Sequence, residues 1–117
     1  MKLLAVTNIS FNMKNSLVKE TSFENMSANA DRAASMMKLL SNPSRLMILC
    51  HLNEGEQTVG ALVETVDLSQ SAVSQHLAKL REQGIVQSHR EGQNIYYKIS
   101  STEVHAIIKM LYSLYCR

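Results

Sequence analysis

The hydrophobic positions along the chain first become periodic at residue 30, with the three- and four-residue spacing of a helix that buries one side. This stripe consists of Ala30, Ala33, Ala34, Met37 and Leu40. Asn42 followed by Pro43 then provides a side-chain cap and a first-turn proline, so a second helix is predicted from Pro43 to about Leu52. Because this segment is almost wholly apolar through residues 46–50, it should run through the core.

Two further helices, separated by a tight turn at residues 67–69, are predicted next. Thr58 can cap a short third helix, whose apolar positions are Val59, Leu62, Val63 and Val66. Ser69 can cap a fourth helix that ends near Gly84, where a left-handed residue is expected. The inward side of this fourth helix comprises Ala72, Val73, Leu77 and Leu80.

The pattern changes from helical to strand-like after Gly84. Residues 85–90 and 94–99 predict two strands joined through residues 91–93 as a hairpin. A final helix, capped by Ser100 or Ser101, carries Val104, Ile107, Ile108, Leu111 and Leu114. This order predicts a mainly α protein with a small β-hairpin, a winged helix-turn-helix of five or six helices and a two-stranded wing.

The length of 117 residues favours one domain. Hydrophobic residues make up 45% of the chain and charged residues 19%, the balance of a globular protein. Residues 1–29 show no settled period and are predicted to form a flexible arm or a frayed helix before a domain of residues 30–117. The apolar start at residues 1–6 is too short for a signal peptide, and no other stretch is long enough to span a bilayer, so we expect a cytoplasmic protein without membrane contact.

Charge is unevenly distributed, although the formal net charge is only +2. Residues 24–68 hold three basic and six acidic side chains, whereas residues 69–98 hold four basic and two acidic ones. An acidic body with a mildly basic segment suits a protein that presents one side to phosphates. The difference is small and carries little weight by itself.

A helix, a tight turn, a second helix and a hairpin form an arrangement that places the second helix in the major groove of DNA and the hairpin near the backbone or minor groove. Ten side chains in these two elements have groups suited to base edges or phosphates. They are Gln70, Ser71, Ser74, Gln75, His76, Lys79, Arg90, Gln93, Asn94 and Tyr96. Plain solvation is the alternative, and it stays open for each wing residue. The wing after the helix favours double-stranded operator DNA as the partner.

These segments resemble the ArsR/SmtB family of repressors over about residues 30–117. The similarity lies in SQSAVSQHLAKLR at residues 69–81, in LLSNPSRL at residues 39–46, and in GIV at residues 84–86 and YYKI at residues 96–99. The resemblance implies a homodimer held by the first and last helices. It also implies operator binding in the apo or reduced state and release when an inducer changes the dimer.

Metal-sensing members of that family carry a cysteine box in the third helix, but residues 57–62 contain no thiol or imidazole here. Other members bind zinc through the last helix, and Glu103, His105 and Cys116 fall near those spacings. Zinc usually takes four ligands, so this set is one short unless Asp31, the arm or a second subunit supplies another. The alternative is that Glu103 and His105 are ordinary residues of the first helical turn. No bound cofactor is expected.

The two cysteines, Cys50 and Cys116, offer a different kind of sensor. Taken as isolated residues, Cys50 is expected to be a small, buried hydrophobic residue and Cys116 an exposed residue without a functional role. Their placement, however, resembles the paired thiols of the sulfide and redox sensors of the BigR, SqrR, YgaV and HlyU type. This resemblance implies that a reactive sulfur species or an oxidant links the thiols and releases the DNA. A permanent disulfide is disfavoured in a reducing cytoplasm.

Two other classes of function are weighed against DNA binding. A catalytic thiol needs a neighbouring base, and only Cys50 beside His51, or Cys116 with His105, offers one. Neither pair lies in a motif with a third group, so we expect no enzyme. A winged helix used only for protein contacts is the second class, and it would differ by having no affinity for DNA.

Overall fold

The structure of the protein is a computed structural model, which describes the backbone of residues 13–116 and the side chains of residues 22–116. Of the described residues, those up to Ser35 form one unit, and those from Met36 onward form another. Among the described residues, no helix combines the length and the apolar character needed to cross a membrane.

Helix α1, Met13–Leu40, begins well before the first periodic position at Ala30. Residues 13–29, predicted as an arm or a frayed helix, therefore belong to α1, whereas residues 1–12 lie outside the described residues. No glycine or proline interrupts residues 13–40, so no breaker stops the helix earlier. Most side chains of residues 22–35 are exposed, in keeping with the lack of an apolar period there.

The second unit contains four more helices and three strands. The helices are α2 (Pro43–Leu52), α3 (Val59–Thr65), α4 (Gln70–Glu82) and α5 (Thr102–Tyr115). The strands are β1 (Gln57–Thr58), β2 (Val86–Glu91) and β3 (Asn94–Ile99). The predicted helix starts are confirmed by side-chain oxygens that accept backbone amides, Asn42 from Arg45 at 3.0 Å, Thr58 from Ala61 at 3.1 Å, Ser69 from Ala72 at 3.1 Å and Ser101 from Val104 at 3.1 Å.

The strands form one antiparallel sheet in the order β1-β3-β2. The predicted hairpin is β2 and β3, with His89 opposite Tyr96, and Gly92 turns between them at φ 64°. Strand β1 is not among the predicted elements, and it adds a third strand by pairing Gln57 with Tyr97. Two residues are too few to show an alternating pattern, so only the contact with β3 reveals this strand.

A single hydrophobic cluster lies between the helices and the sheet of the second unit. It is built from Leu40, Ile48, Leu49, Leu52, Leu62, Val66, Val73, Leu77, Leu80, Ile85, Val86, Val104 and Ile108. The inward positions predicted for the third, fourth and last helices supply most of this cluster. Its rigid packing holds α4 with one side buried and the other facing outward.

Candidate nucleic-acid interface and paired thiols

Helix α4 has one fully buried side and one exposed side. Val73, Leu77 and Leu80 have no exposed surface. Five of the predicted DNA-contacting residues are exposed on the same helix, namely Gln70, Ser71, Ser74, Gln75 and Lys79. Since Ser69 caps the first turn, these short polar groups stand on a helix whose beginning is well defined. The exposed side has the chemistry needed for base edges and phosphates.

His76, the sixth predicted residue on α4, lies closer to the interior. It is half-buried, and helical geometry puts it on the side of Val73 and Leu80. Burial, reinforced by the positive charge of Arg45, lowers the pKa of His76. The imidazole is therefore neutral at pH 7.

Arg45 connects the end of α1 to the beginning of α2 beside His76. Its Nε donates to the carbonyl oxygen of Leu39 at 2.8 Å, and its backbone amide donates to the cap Asn42 at 3.0 Å. This single side chain thus satisfies a carbonyl at the end of α1, where helices leave such groups unpaired. Arg45 falls within the predicted second helix, but this role was not predicted.

The wing formed by β2 and β3 carries the other predicted DNA-contacting residues. Arg90, Gln93 and Asn94 are exposed, whereas Tyr96 is half-buried and stacks on the His89 ring with centroids 5.7 Å apart. The two ring nitrogens of His89 lie between carboxylates. Nδ1 is 3.6 Å from the Glu56 Oε2 atom, and Nε2 is 3.7 Å from the Glu91 Oε2 atom.

These contacts tie the wing to the connection between α2 and β1. Tyr96 is among the DNA-contacting residues predicted from the sequence, whereas His89 and Glu56 are not. His89 lies opposite Tyr96 because the strands turn through residues 92 and 93 only, whereas the predicted three-residue connection would have placed His89 opposite Ile95. The contact of His89 with Glu56 depends on the third strand, which the sequence did not show.

Cys50 lies on α2 and Cys116 directly follows α5, and these two helices contact each other. Both are free thiols, with Cys50 half-buried against the core and Cys116 exposed directly after α5. Burial raises the pKa of the Cys50 thiol, and the negative charges of Cys116 and Glu54 raise it further. The charge of Cys116 can act on Cys50 only because the fold brings the two thiols within electrostatic reach.

The alternative metal ligands are not brought together within one chain. In the part of the chain that the structure describes, no three His, Cys, Asp or Glu side chains form a group able to hold a metal. Glu103 and His105 lie in the first turn of α5, and Cys116 follows its last turn, which puts them on the order of 15–20 Å apart along the axis. The Glu103 carboxylate accepts hydrogen bonds from Ser101 and Thr102 instead.

Comparison with known proteins places this arrangement in one family. Residues 42–88 match the family described as "Bacterial regulatory protein, arsR family". The chain is also 46% identical over 94 residues to the "Transcriptional activator HlyU" of Vibrio cholerae, an alignment that covers 80% of this chain and 87% of that protein. The chain belongs to the ArsR family.

Other members agree in sequence and in structure. The "Biofilm growth-associated repressor" of Xylella fastidiosa is 36% identical over 104 residues, which cover 89% of this chain and 91% of that protein. The solved structure of reduced HlyU from Vibrio cholerae has a TM-score of 0.76, with 80% of this chain and 99% of that chain covered. The solved structure of the repressor BigR from Xylella fastidiosa has a TM-score of 0.74 at 37% sequence identity. The match covers 80% of this chain and 96% of that chain.

Membership in the ArsR family confirms the winged helix-turn-helix fold predicted from the order of elements. This ArsR-family chain is a DNA-binding transcriptional regulator, and its family consists of regulators rather than enzymes.

Proposed function

We propose that the chain is a homodimeric repressor whose binding to operator DNA is switched by reversible linkage of Cys50 and Cys116. The observation that carries this proposal is the thiol pair, one member on α2 and the other at the end of α5, close enough for the charge of Cys116 to raise the pKa of Cys50. A bond between them would join two helices that are separate in sequence.

The DNA-binding step uses the exposed side of α4 and the wing. Gln70, Ser71, Ser74, Gln75 and Lys79 enter the major groove, and Arg90, Gln93 and Asn94 contact the adjacent backbone or minor groove. His76 and Tyr96, which are half-buried, support the helix and the wing and contribute at most the exposed part of their rings.

A second copy of the chain is the partner that the outer side of α5 fits. Met110, Leu114 and Tyr115 are 59%, 52% and 82% exposed, although all three are large and apolar. Soluble monomers rarely expose a group of this kind, and such a group commonly marks an interface. A dimer would place two α4 helices on one face of the duplex, at half-sites about 34 Å apart.

Linking the thiols changes this geometry. A disulfide requires the two Cβ atoms to approach to about 3.8 Å, so the end of α5 is drawn onto α2. Because α5 also carries the proposed dimer surface, the separation of the two α4 helices changes with it. Binding at both half-sites is then weakened together, so a small displacement is enough to release the DNA.

Two relatives support this proposal. HlyU of Vibrio cholerae has been solved in a form described as reduced, which supports a redox-dependent state, and the Xylella fastidiosa relative is described as a repressor.

The test measures operator affinity by fluorescence anisotropy before and after treatment with a persulfide donor. The wild-type dimer is expected to lose affinity on treatment and to regain it with dithiothreitol. A variant carrying Cys50→Ser and Cys116→Ser should bind equally well under all conditions. An inducer response that survives in this variant would refute the thiol switch, and a monomer in sedimentation analysis would refute the dimer.

A further inference from the structure

Resting on the proposed thiol switch, we propose a fixed order of attack in which Cys116 reacts first with the sulfur donor and Cys50, restrained by Glu54, reacts second. The two thiols are thus assigned different roles. Cys116 is the acceptor of the incoming sulfur atom, and Cys50 is the resolving thiol that completes the link.

The difference in exposure is the first argument. Cys116 is exposed and directly follows Tyr115, the last residue of α5. Cys50 lies within α2 and is half-buried against the hydrophobic core. A donor must approach a thiolate along the axis of the sulfur–sulfur bond that breaks, and this approach is open at Cys116 and restricted at Cys50.

The charge around Cys50 is the second argument. Glu54 stands four residues after Cys50, just beyond the end of α2, and is itself exposed. Its negative charge, together with burial and the charge of Cys116, raises the pKa of Cys50 and so lowers the fraction present as the thiolate, the form that attacks. The same carboxylate repels persulfide donors RSSH whose R group is itself negatively charged.

The chemistry balances with a persulfide RSSH as the oxidant. The Cys116 thiolate attacks the outer sulfur of RSSH, the donor's sulfur–sulfur bond breaks, and the products are Cys116–S–SH and RS⁻. The Cys50 thiolate then attacks the Cys116 Sγ atom and expels HS⁻, which leaves a Cys50–Cys116 disulfide. The two thiols together lose two electrons, and the transferred sulfur atom gains them and leaves as sulfide.

This order explains how a poorly reactive Cys50 can still complete the switch. Once Cys116 carries the extra sulfur atom, the electrophile is held beside Cys50 and the second step is intramolecular. A free donor in solution must instead react with Cys50 in an intermolecular step. Glu54 therefore suppresses direct modification of Cys50 without preventing closure of the link.

Competitive alkylation of the wild-type protein tests the order without any cysteine variant. The reduced protein is treated with limiting iodoacetamide, and peptide mass mapping follows the label at each thiol. Cys116 is expected to react about tenfold faster than Cys50. With a persulfide donor, the added sulfur should be found first on the peptide that contains Cys116.

Glu54→Gln tests the restraint, and Glu56→Gln is the matched control. Glu56 lies on the same connection but contacts His89. Glu54→Gln should accelerate alkylation of Cys50 roughly two- to fivefold and leave Cys116 unchanged. The gain should be larger with the anion iodoacetate than with neutral iodoacetamide. Glu56→Gln should change neither rate.

Faster labelling of Cys50 than of Cys116 would overturn the order, and an unaltered Cys50 rate in Glu54→Gln would overturn the role of Glu54. Both readouts are independent of DNA. If the thiols react in the expected order but the linked protein keeps its operator affinity, the proposed switch fails while the order of attack stands. If linkage releases DNA but Cys50 is labelled first, the order of attack fails while the proposed switch stands.

Discussion

The Ser69 cap allows the folding role of helix α4 to be separated from its proposed role in DNA binding. The Ser69 Oγ atom accepts the Ala72 amide at 3.1 Å, and the side chain is otherwise exposed. Ser69→Ala leaves that amide unpaired, which should cost about 1 kcal/mol of unfolding free energy, within a usual range of about 0.5–2 kcal/mol. For a domain of this size the melting temperature should fall by roughly 4–8 °C.

Two further substitutions at the same position make the measurement decisive. Ser69→Asn retains a neutral cap and should preserve both the stability and the operator affinity. Ser69→Asp also caps the helix and gains from the positive end of the helix dipole, so its stability should equal or exceed that of the wild type. Its carboxylate, however, would stand at the end of α4 that the proposal places against DNA, where it would repel phosphates. We therefore expect Ser69→Asp to be stable but to bind DNA weakly.

The assay combines thermal unfolding at one protein concentration with anisotropy titrations of operator DNA over a series of salt concentrations. Constant concentration matters because a dimer's melting temperature depends on it. Ser69→Asp should bind less tightly, with a difference that shrinks as salt screens the repulsion. If Ser69→Asp binds DNA as well as Ser69→Asn at low salt, the beginning of α4 does not face the backbone, and the proposed orientation is wrong.

Three other substitutions probe the interface and the core. Gln75→Ala should cost about 1–3 kcal/mol of operator binding if Gln75 reads a base, and an equal loss on random duplex would assign it to the backbone instead. Because burial and Arg45 lower the pKa of His76, the unfolded chain takes up a proton more readily, so wild-type stability should be complete above the ordinary histidine value of 6.5 and should decline as the pH falls below it. In urea unfolding, the unfolding free energy of His76→Gln should decline less with falling pH than that of the wild type. An equal decline in the two proteins would contradict the assignment. Leu77→Ala, which truncates a side chain with no exposed surface, should lower the unfolding free energy by about 2–5 kcal/mol, while Ser71→Ala on the exposed side should change it by less than about 0.5 kcal/mol.

The helix caps and the apolar stripes could be predicted because each depends on residues near one another in the chain. Asn42, Thr58 and Ser69 each accept an amide three residues ahead, so their types and positions suffice to locate the helix starts. The same is true of the amphipathic pattern of α4, which already indicated the exposed polar side. These local signals were enough for the fold and for most of the proposed DNA-facing residues.

The sequence determined local structure, and the tertiary structure decided which distant groups meet. The third strand exists only because Gln57 reaches Tyr97, and His89 acquires its carboxylate neighbour Glu56 only through that sheet. From the sequence, His76 is one of several polar residues of α4, and only the packing of the helices places it beside Arg45. Cys50 and Cys116 stand far apart in sequence, and contact between α2 and α5 brings their charges within reach. Such pairings depend on how complete helices and strands pack, and no short-range pattern of side chains encodes that packing by itself.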